Sequence, residues 1–330
     1  MKKVRWGILS TAKIGREKVI PAMQKAANCE VVAIASRNLE QAKEAATKLN
    51  IKRAYGSYEE LLNDEEIDAV YIPLPNHLHV PWAIKALAAN KHVLCEKPIA
   101  LSVLEASELL AASKQKPHLK IMEAFMYRFH PQWAQVKKLI ADGAIGQLKN
   151  IHSLFSYFNT DAGNIRNKKE IGGGGLMDIG CYCISQSRYV FNEEPISVYG
   201  SLQYDPDLHI DSLASGILNF SSGTSAFTCS TQMTPYQYVK ITGTDGWIQI
   251  DMPFTPQPEE QTRIWLHTKN GATEIVFEPV DQYTLQCDLF SQAIIKNTDV
   301  PTPLQDAVNN MKVIEAIFIS YSTSKLVNIG

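Results

Sequence analysis

Residues 4–15 have the sequence VRWGILSTAKIG: an apolar run, then small residues, then the start of a helical pattern. The apolar run predicts a strand from Val4 to Leu9, and apolar residues at helical spacing predict a helix from Ile14 to Ala27. A strand that turns within a few residues into a helix is typical of a βαβ unit, whose next strand lies parallel to the first. This stretch therefore predicts a parallel sheet in the N-terminal part of the chain.

The same alternation continues to about residue 125 and predicts six strands joined by helices. After Val4 to Leu9, the bounded strand candidates are 31–35, 68–72, 92–95 and 120–123. Helices are predicted at 39–49 and 103–113, at a capping box formed by Ser57 and Glu60, and on the face shared by Val80, Ile84 and Leu87. Strands that alternate with helices form a doubly wound parallel sheet, an α/β fold that binds ligands at the carboxyl ends of its strands.

From about Lys149 the pattern changes to alternation of apolar and polar residues with a period of two, which is typical of antiparallel strands. Strands are predicted at 151–158, 197–202, 213–220, 224–232, 238–242, 247–251, 263–267 and 273–277. Turn signals such as Asn270-Gly271 separate several of them. One helix, Met177 to Tyr189, is predicted within this region, and a final helix, Leu304 to Leu326, follows two prolines.

These patterns predict two domains, in keeping with 330 residues at about 150 residues per domain. The first, over residues 1–125, is a doubly wound Rossmann sheet, and the second, over 126–330, is an α+β domain with a large, mostly antiparallel open sheet. The C-terminal helix, at about 304–326, is a candidate to pack back on the first domain. Because an open sheet has one face to cover, we expect a homodimer formed through the C-terminal sheet.

Composition excludes several classes of function. The chain has 32 basic and 34 acidic residues, and this balance argues against a nucleic-acid partner. No apolar run reaches the roughly 18 residues of a membrane span, and Met1-Lys2-Lys3 is not followed by the apolar region of a secretory signal, so we expect a cytoplasmic protein without a membrane partner. None of the six cysteines forms a CxxC pair, and we expect them to be small core residues.

The turn after the first strand is compared with the dinucleotide fingerprint G-x-G-x-x-G. It offers Ser10, Ala12 and Gly15 at the three glycine positions, so only the last glycine is present. The fingerprint needs a tight turn that lets backbone N–H groups approach a pyrophosphate, and Ser and Ala are the next smallest residues. The predicted cofactor-binding residues of this turn are Ser10, Thr11, Ala12, Lys13 and Ile14. On the turn alone, an ordinary strand-to-helix connection that binds nothing is an open alternative.

The end of the second strand indicates which cofactor is bound. A carboxylate is expected there, roughly 20 residues beyond the turn, when the ribose hydroxyl of NAD is recognised. This chain has Ser36 and Arg37 instead, a hydroxyl and a guanidinium that suit a 2′-phosphate. We therefore predict NADP(H) as the preferred cofactor and NAD(H) as the alternative. The competing interpretation is that Arg37 is a solvated residue at the start of a helix.

Three further segments carry recognisable motifs. Residues 73–79 have the sequence PLPNHLH, residues 95–98 have CEKP, and residues 173–182 have GGGLMDIGCY. On these motifs the chain resembles the Gfo/Idh/MocA oxidoreductase family, whose EKP motif matches Glu96-Lys97-Pro98 and whose Asn-x-x-His element matches Asn76 and His79. The third segment is similar to the family signature G-G-x-L-x-D-x-G-x-H, with Tyr182 in place of the usual histidine.

That tyrosine, the opening Arg5-Trp6-Gly7-Ile8 and the modified glycine turn resemble one branch of the family most. The branch includes glucose-fructose oxidoreductase, dimeric dihydrodiol dehydrogenase and NADP-dependent D-xylose dehydrogenase. The resemblance runs from Val4 to the C-terminal helix and implies an NAD(P)-dependent oxidoreductase with an N-terminal Rossmann domain and a C-terminal substrate domain. It also implies that residues after the fourth and fifth strands bind the cofactor, namely Leu74, Pro75, Asn76, His79, Glu96 and Lys97.

Oxidation of a sugar hydroxyl needs a base that takes the O–H proton while hydride leaves carbon for a nicotinamide. Asp178 and Tyr182 are four residues apart, so on a helix they share one face. An ammonium group nearby would lower the pKa of a tyrosine from its usual value of about 10, and the resemblance places Lys97 beside the nicotinamide and the substrate oxygen. We predict Tyr182 as general acid/base, Lys97 as its electrostatic partner and Asp178 as the orienting group.

Two alternatives to this assignment stay open. In this family Lys and His have often been given the proton-transfer roles, and Tyr182 could serve only to position the substrate. Among weaker candidates, Arg128 is expected to contact the cofactor or to bridge the domains, and Phe158 and Tyr283 are candidate apolar faces for a sugar ring, with core packing as the competing role. No carboxylate or cysteine accompanies the histidines at ligand spacing, so no metal is predicted.

The sequence thus favours an oxidoreductase that uses NADP(H) on a CH–OH group of an aldose or a related small molecule. Within the same class, a trans-dihydrodiol or dicarbonyl reductase is the second hypothesis. The competing class is a non-catalytic NADP-binding regulator. A regulator of that kind would be expected to have lost Lys97 or Tyr182, and both are present.

Overall fold

A computed structural model describes residues 3–329 of the chain. The first elements in chain order are β1 (Val4–Leu9), α1 (Ile20–Lys25), β2 (Cys29–Ala35), α2 (Leu39–Lys48), β3 (Arg53–Tyr55), α3 (Tyr58–Leu62), β4 (Ala69–Ile72), α4 (His79–Ala88), β5 (His92–Cys95), α5 (Val103–Lys114) and β6 (Ile121–Glu123). They are followed by α6 (Pro131–Ala141), β7 (Leu148–Phe158), α7 (Cys181–Phe191), β8 (Ser197–Tyr204), β9 (Asp211–Asn219), β10 (Thr224–Ser230), β11 (Gln232–Gly243), β12 (Gly246–Ile250), β13 (Thr262–Thr268), β14 (Gly271–Phe277), α8 (Gln282–Lys296), α9 (Leu304–Thr323) and β15 (Val327–Asn328).

Short helical turns precede several of these elements. Five-residue π-helical turns at Gly15–Val19 and Leu176–Gly180 lead into α1 and α7, and 3-10 turns occupy Asn76–Leu78, Met126–Phe129, Ile165–Asn167 and Lys169–Ile171. Helices α2, α3 and α5 begin where a polar side chain accepts backbone N–H groups of the first turn. These capping side chains are Asn38, Ser57 and Ser102. Such caps satisfy donors that have no partner within the helix.

The described chain divides into two compact units, and the first contains residues 3–126 and 281–308. Its sheet has six strands in the order β3-β2-β1-β4-β5-β6, and its strand pairs are parallel. The middle strand β1 is almost entirely buried, as its apolar sequence requires for a strand covered on both faces. This order confirms the predicted doubly wound sheet. It includes β3, for which the sequence pattern gave no bounds.

One helix of the first unit, α8, was not predicted from the sequence. The sequence pattern predicted no helix near residue 290, and in the structure α8 groups with the first unit. The Trp6 indole donates to Ser291 Oγ at 3.2 Å, and its ring lies 5.7 Å from that of Phe290. Asp288 accepts two hydrogen bonds from Asn28, each at 2.9 Å. Contacts across more than 250 positions of sequence are not visible in a local pattern, so the sequence did not indicate that α8 packs in the first unit.

The second unit contains residues 127–280 and 309–329. Its sheet has nine strands in the order β14-β13-β12-β11-β7-β10-β9-β8-β15, and within it β7 and β10 are parallel whereas the other pairs are antiparallel. All eight predicted strands are present, and this confirms the mostly antiparallel open sheet. Along β7 the side chains of Ile151, Ser153 and Phe155 are buried on one face. Helix α7 packs against this strand and against β10.

The remaining differences from prediction concern two helices and the short strand β15, which was not predicted. Helix α6 was missed, although Pro131 occupies its first turn and the His130 side chain accepts the Gln132 N–H. The final helix ends at Thr323, three residues before the predicted end. All six cysteines are buried free thiols, as expected. Within residues 3–329, every helix is too short or too polar to cross a membrane.

Candidate active site

The parallel sheet of the first unit brings most of the predicted cofactor residues to one edge. Because parallel strands end at the same side of the sheet, the segments that follow β1, β2, β4 and β5 lie at that side. They contain the turn from Ser10, the pair Ser36 and Arg37, residues 74–76, and Glu96 with Lys97. The sequence-based grouping of these residues thus has a structural basis in the strand order.

Ser10 has the backbone conformation that the fingerprint normally assigns to glycine. Its φ is +130°, in the region that side chains rarely adopt. The Ser10 hydroxyl donates to the Pro73 carbonyl oxygen at 3.4 Å and accepts the Ala12 N–H at 3.2 Å. The hydroxyl therefore compensates for the strained backbone and ties the turn after β1 to the end of β4. A tight turn of this kind, with a helix behind it, fits a pyrophosphate.

The segment after β2 offers a cationic group to a ligand. Ser36 is buried, and its hydroxyl oxygen accepts the Asn38 N–H at 3.2 Å. Arg37 is exposed and makes no hydrogen bond or ion pair with any residue between 3 and 329. An arginine fork without a protein partner is suited to a phosphate. These two residues fit a cofactor that carries a 2′-phosphate.

The loop that carries Lys97 is held in place from two directions. The Glu96 carboxylate accepts the Tyr71 hydroxyl at 2.6 Å, and the Glu123 carboxylate accepts the Ile99 N–H at 2.7 Å. Burial and the Glu96 charge raise the pKa of Tyr71, so its hydroxyl stays a donor. The Lys97–Pro98 peptide bond is cis, and Lys97 itself is half-buried. The fixed backbone on both sides orients the lysine.

Both ring nitrogens of His79 contact backbone carbonyl groups of the protein. Its side chain is fully buried, with Nδ1 2.8 Å from the Pro98 carbonyl oxygen and Nε2 2.7 Å from that of Leu74. Burial lowers the pKa of His79 to about 4, although the two carbonyl acceptors act in the opposite direction. The ring is therefore neutral near pH 7 and donates to one of the two carbonyl groups. It joins the loop after β4 to the loop after β5.

In the second unit, the glycine segment before α7 is close-packed. Gly174 has a φ of +123°, and a Cβ there would overlap the Asp211 carboxylate. A Cβ on Gly173 would overlap the Arg166 carbonyl oxygen. Only glycine fits both positions, and this explains the two glycines at the start of the motif.

Asp211, at the start of β9, fixes the first turn of the helical segment that carries Asp178 and Tyr182. Its carboxylate accepts the Leu176 N–H at 2.6 Å and is buried. Burial raises the pKa of Asp211 to about 7, and the N–H groups of residues 175 and 176 lower it in part. A carboxylate at a helix N-terminus satisfies backbone donors that would otherwise lack partners. Sequence reasoning missed this residue.

Asp178 is buried and holds two side chains. One carboxylate oxygen accepts the Tyr157 hydroxyl at 2.6 Å, and the other accepts Arg166 Nε at 3.2 Å. Burial first, and then the Asp178 charge, raise the pKa of Tyr157, so it remains protonated. The same carboxylate raises the pKa of Arg166. The predicted orienting group is thus itself oriented by two residues that the sequence analysis did not identify.

Tyr182 lies in the first turn of α7 and is buried among aromatic rings. The ring centroids of Phe155, Phe254 and Tyr127 lie 5.7, 5.7 and 5.8 Å from its own. Residues 176–180 form a π-helical turn. The shared face predicted for Asp178 and Tyr182 from α-helical spacing therefore does not follow from their separation of four residues. Both residues nevertheless contribute to the raised pKa of Arg166, so both lie near its guanidinium.

The weaker candidates lie in separate places. Arg128 Nη2 donates to Ser185 Oγ at 2.7 Å, which places it along α7. Phe158 follows Tyr157 in β7, so its side chain points to the opposite face of the strand from Tyr157, which binds Asp178. Tyr283 is in the first turn of α8, within the first unit. Among residues 3–329 no group of three His, Cys, Asp or Glu side chains is placed to hold a metal.

Comparison with known proteins identifies the family. Residues 4–124 match an oxidoreductase family with an NAD-binding Rossmann fold, and residues 133–249 match the GFO/IDH/MocA C-terminal domain. The chain belongs to the Gfo/Idh/MocA oxidoreductase family, as its motifs predicted. It is an NAD(P)-dependent oxidoreductase.

Three relatives illustrate the range of the family. The chain is 37% identical over 326 residues to D-xylose 1-dehydrogenase (NADP(+)) 2 of Haloferax volcanii, covering 98% of this chain and 99% of that protein. It is 38% identical over 251 residues to trans-1,2-dihydrobenzene-1,2-diol dehydrogenase of Xenopus laevis, covering 74% of each. A crystal structure of a 3-ketoreductase from Actinomadura kijaniata with NADP and TDP-benzene superposes with a TM-score of 0.91 at 28% identity, covering 97% and 98% of the two chains.

The buried carboxyl of Asp211 predicts a specific dependence of stability on pH. Its raised pKa of about 7 lies above the value of about 3.9 in an unfolded chain. Its contribution to the free energy of unfolding is therefore full below about pH 4 and is lost as the pH rises to about 7. Asp211→Asn removes this titration, yet its amide oxygen still accepts the Leu176 N–H. The stability of the variant relative to wild type should rise by a few kcal/mol at most over that interval, at about 1.4 kcal/mol per pKa unit.

Urea unfolding at a series of pH values measures this difference. Asp207→Asn, at an exposed position four residues earlier, is the control and should follow wild type. If the free energies of unfolding of Asp211→Asn and wild type differ by the same amount at every pH, Asp211 takes up no proton in this interval.

Proposed function

We propose that the protein is a sugar oxidoreductase that prefers NADP(H) and moves hydride between the nicotinamide and the carbinol or carbonyl carbon of a small sugar. The observation that carries this proposal is the setting of Lys97. It follows β5 at the ligand-binding edge of a doubly wound sheet, half-buried, between backbone segments held by Glu96, His79 and Glu123. A lysine in a mobile surface loop would have none of these supports.

The proposal assigns three groups of residues to the cofactor. The turn after β1 holds the pyrophosphate through Ser10, Thr11, Ala12, Lys13 and Ile14, and Ser36 with Arg37 holds the 2′-phosphate. The nicotinamide end is held by Leu74, Pro75, Asn76, Glu96, Lys97 and Arg128, with His79 fixing the two loops. When bound, the nicotinamide supplies or accepts the hydride. The NADP named with the xylose dehydrogenase and with the ketoreductase supports this choice.

In this assignment Tyr182 takes the proton of the substrate hydroxyl during oxidation and returns it during reduction. The ammonium of Lys97 favours the phenolate form of Tyr182 and donates a hydrogen bond to the substrate oxygen. Asp178, held by Tyr157 and Arg166, positions the helical segment that carries Tyr182. The aromatic packing around Tyr182 excludes water from its ring.

A trans-dihydrodiol or dicarbonyl reductase is the second candidate, and the relative from Xenopus laevis favours it. The sugar oxidoreductase is preferred because the xylose dehydrogenase matches 98% of this chain, against 74% for the dihydrodiol dehydrogenase. The two functions are distinguished by measuring turnover of D-xylose, D-ribose, D-glucose and a diketone such as diacetyl. Turnover is followed by the absorbance of the reduced nicotinamide. Turnover of the diketone alone would replace the first proposal with the second.

Lys97→Met tests the catalytic assignment. Because the variant lacks the ammonium, kcat with the best sugar should fall by about 100-fold or more, in the range that proton-transfer groups contribute. NADPH should still raise the unfolding temperature. Lys85→Met, on α4, is the matched control, since its side chain pairs with Glu59 at the surface. Near-normal turnover by Lys97→Met would contradict the assignment.

Arg37→Ala tests the choice of cofactor. Loss of a guanidinium that binds the 2′-phosphate should weaken NADPH by about 10- to 100-fold, the usual effect of a hydrogen bond to a charged group. NADH lacks that phosphate, so its affinity should change little. Titration calorimetry measures both, and Lys43→Ala on α2 serves as the control. Equal losses for NADPH and NADH would show that Arg37 does not bind the phosphate.

We also propose a homodimer formed through the outer face of the nine-stranded sheet. Tyr199 and Ile217 face each other across β8 and β9, and 44% and 46% of their surfaces are exposed. Tyr236 on β11 is exposed by 58%. Exposed apolar side chains that lie together on one face of a sheet are typical of a surface covered by a partner. Sedimentation should give twice 36.8 kDa for wild type and a smaller mass for Ile217→Glu; a monomeric wild type would overturn this proposal.

A further inference from the structure

Arg166 binds Asp178 through one edge of its guanidinium only. Its Nε donates to the carboxylate at 3.2 Å, while its two terminal amino groups make no hydrogen bond or ion pair with residues 3–329. An arginine carries five N–H donors in a planar fork, and the four on the terminal nitrogens are thus available to a ligand. Tyr157 occupies the other oxygen of the same carboxylate.

These donors can be reached by a small molecule and lie close to the proposed acid/base. The Arg166 side chain is 43% exposed, whereas that of Asp178 is 11% exposed. Tyr182 is near enough to contribute to the raised pKa of Arg166. A substrate that presents an oxygen to Tyr182 would therefore present its neighbouring oxygens in the region of Arg166.

The backbone of Arg166 is already fixed. The Asn164 side chain accepts the Arg166 N–H at 3.0 Å, and the Arg166 carbonyl oxygen accepts the Gly174 N–H at 2.9 Å. The tight fit of Gly173 against the same carbonyl oxygen holds this loop to the start of the α7 segment. A side chain that is held before binding loses little conformational entropy when a ligand arrives.

We propose that the terminal amino groups of Arg166 bind two neighbouring hydroxyl groups of a neutral sugar, while Asp178 holds the guanidinium from the other side. This rests on the function proposed above and defines its substrate more closely. The planar fork suits two adjacent oxygens. Because the ion pair of Arg166 with Asp178 carries no net charge, it favours hydroxyl groups over a carboxylate or a phosphate.

The test compares two sugars and three variants. D-Xylose has hydroxyls on carbons 2, 3 and 4, which form two neighbouring pairs, 2 with 3 and 3 with 4. 3-Deoxy-D-xylose lacks the hydroxyl on carbon 3, so it has neither pair. Arg166→Met should raise KM for D-xylose by about 10- to 100-fold, the usual effect of hydrogen bonds to a charged group. KM for 3-deoxy-D-xylose should change much less, since one partner is already missing.

Two further variants separate binding from structure. Arg166→Lys keeps the charge but loses the fork, so it should recover part of the affinity for D-xylose. Lys169→Ala, at an exposed position in the same loop, should behave as wild type. All three variants should keep the increase in unfolding temperature that NADPH causes in wild type, because no residue of the proposed cofactor site is changed.

Three results would overturn the inference: an unchanged KM in Arg166→Met, equal increases for the two sugars, or a loss confined to kcat. The last two would show that Arg166 acts only by positioning Asp178. A wild type that prefers D-glucuronate to D-xylose, with the preference lost in Arg166→Met, would identify a carboxylate site instead. If wild type binds NADPH but oxidises none of D-xylose, D-ribose and D-glucose, the proposed function fails as well. If wild type oxidises a sugar normally and Arg166→Met has an unchanged KM, only this inference is rejected.

Discussion

The parallel pairing of β1 with both β2 and β4 is the constraint on which the candidate cofactor site depends. With β1 in the middle of the order β3-β2-β1-β4-β5-β6, the connections on its two sides run in opposite directions and leave a crevice at the carboxyl ends. The hydrogen bond from the Ser10 hydroxyl to the Pro73 carbonyl oxygen joins the carboxyl ends of β1 and β4. Every group assigned to the cofactor in the first unit follows a strand of this sheet, so the strand order alone determines which parts of the sequence meet.

In the second unit, a comparable constraint acts on the helical segment that carries Asp178 and Tyr182. Asp211 places a buried carboxylate against the start of this segment, and the glycines at 173 and 174 let the chain approach it. A buried carboxylate costs free energy, which its raised pKa reflects. The same carboxylate satisfies a backbone N–H group at the start of the segment. Asp178, within this segment, then accepts hydrogen bonds from Tyr157 and Arg166. Strongly perturbed pKa values of this kind are typical of functional sites.

The sequence predicted the fold well because the fold depends on short-range patterns, and the candidate cofactor residues were proposed from patterns of the same kind. Alternation of strands and helices, the small residues after β1 and the Ser36-Arg37 pair are all readable within a few positions. Helix α8 was missed because Gln282, Gln286 and Ser291 lie on its buried face and mask the apolar period. Tyr157, Arg166 and Asp211 were missed because their partners in the α7 segment lie 21, 12 and 35 positions away.

Binding of a nicotinamide dinucleotide with a 2′-phosphate is the central claim, and thermal unfolding of the purified protein with NADPH and NADH in parallel tests it most directly. A ligand at about 100 times its dissociation constant adds about 2.7 kcal/mol to the free energy of unfolding. The account predicts a clear increase in unfolding temperature with NADPH and a smaller one with NADH at equal concentration. An equal or larger increase with NADH, or no increase with either in protein whose absorbance shows no bound nucleotide, would contradict it.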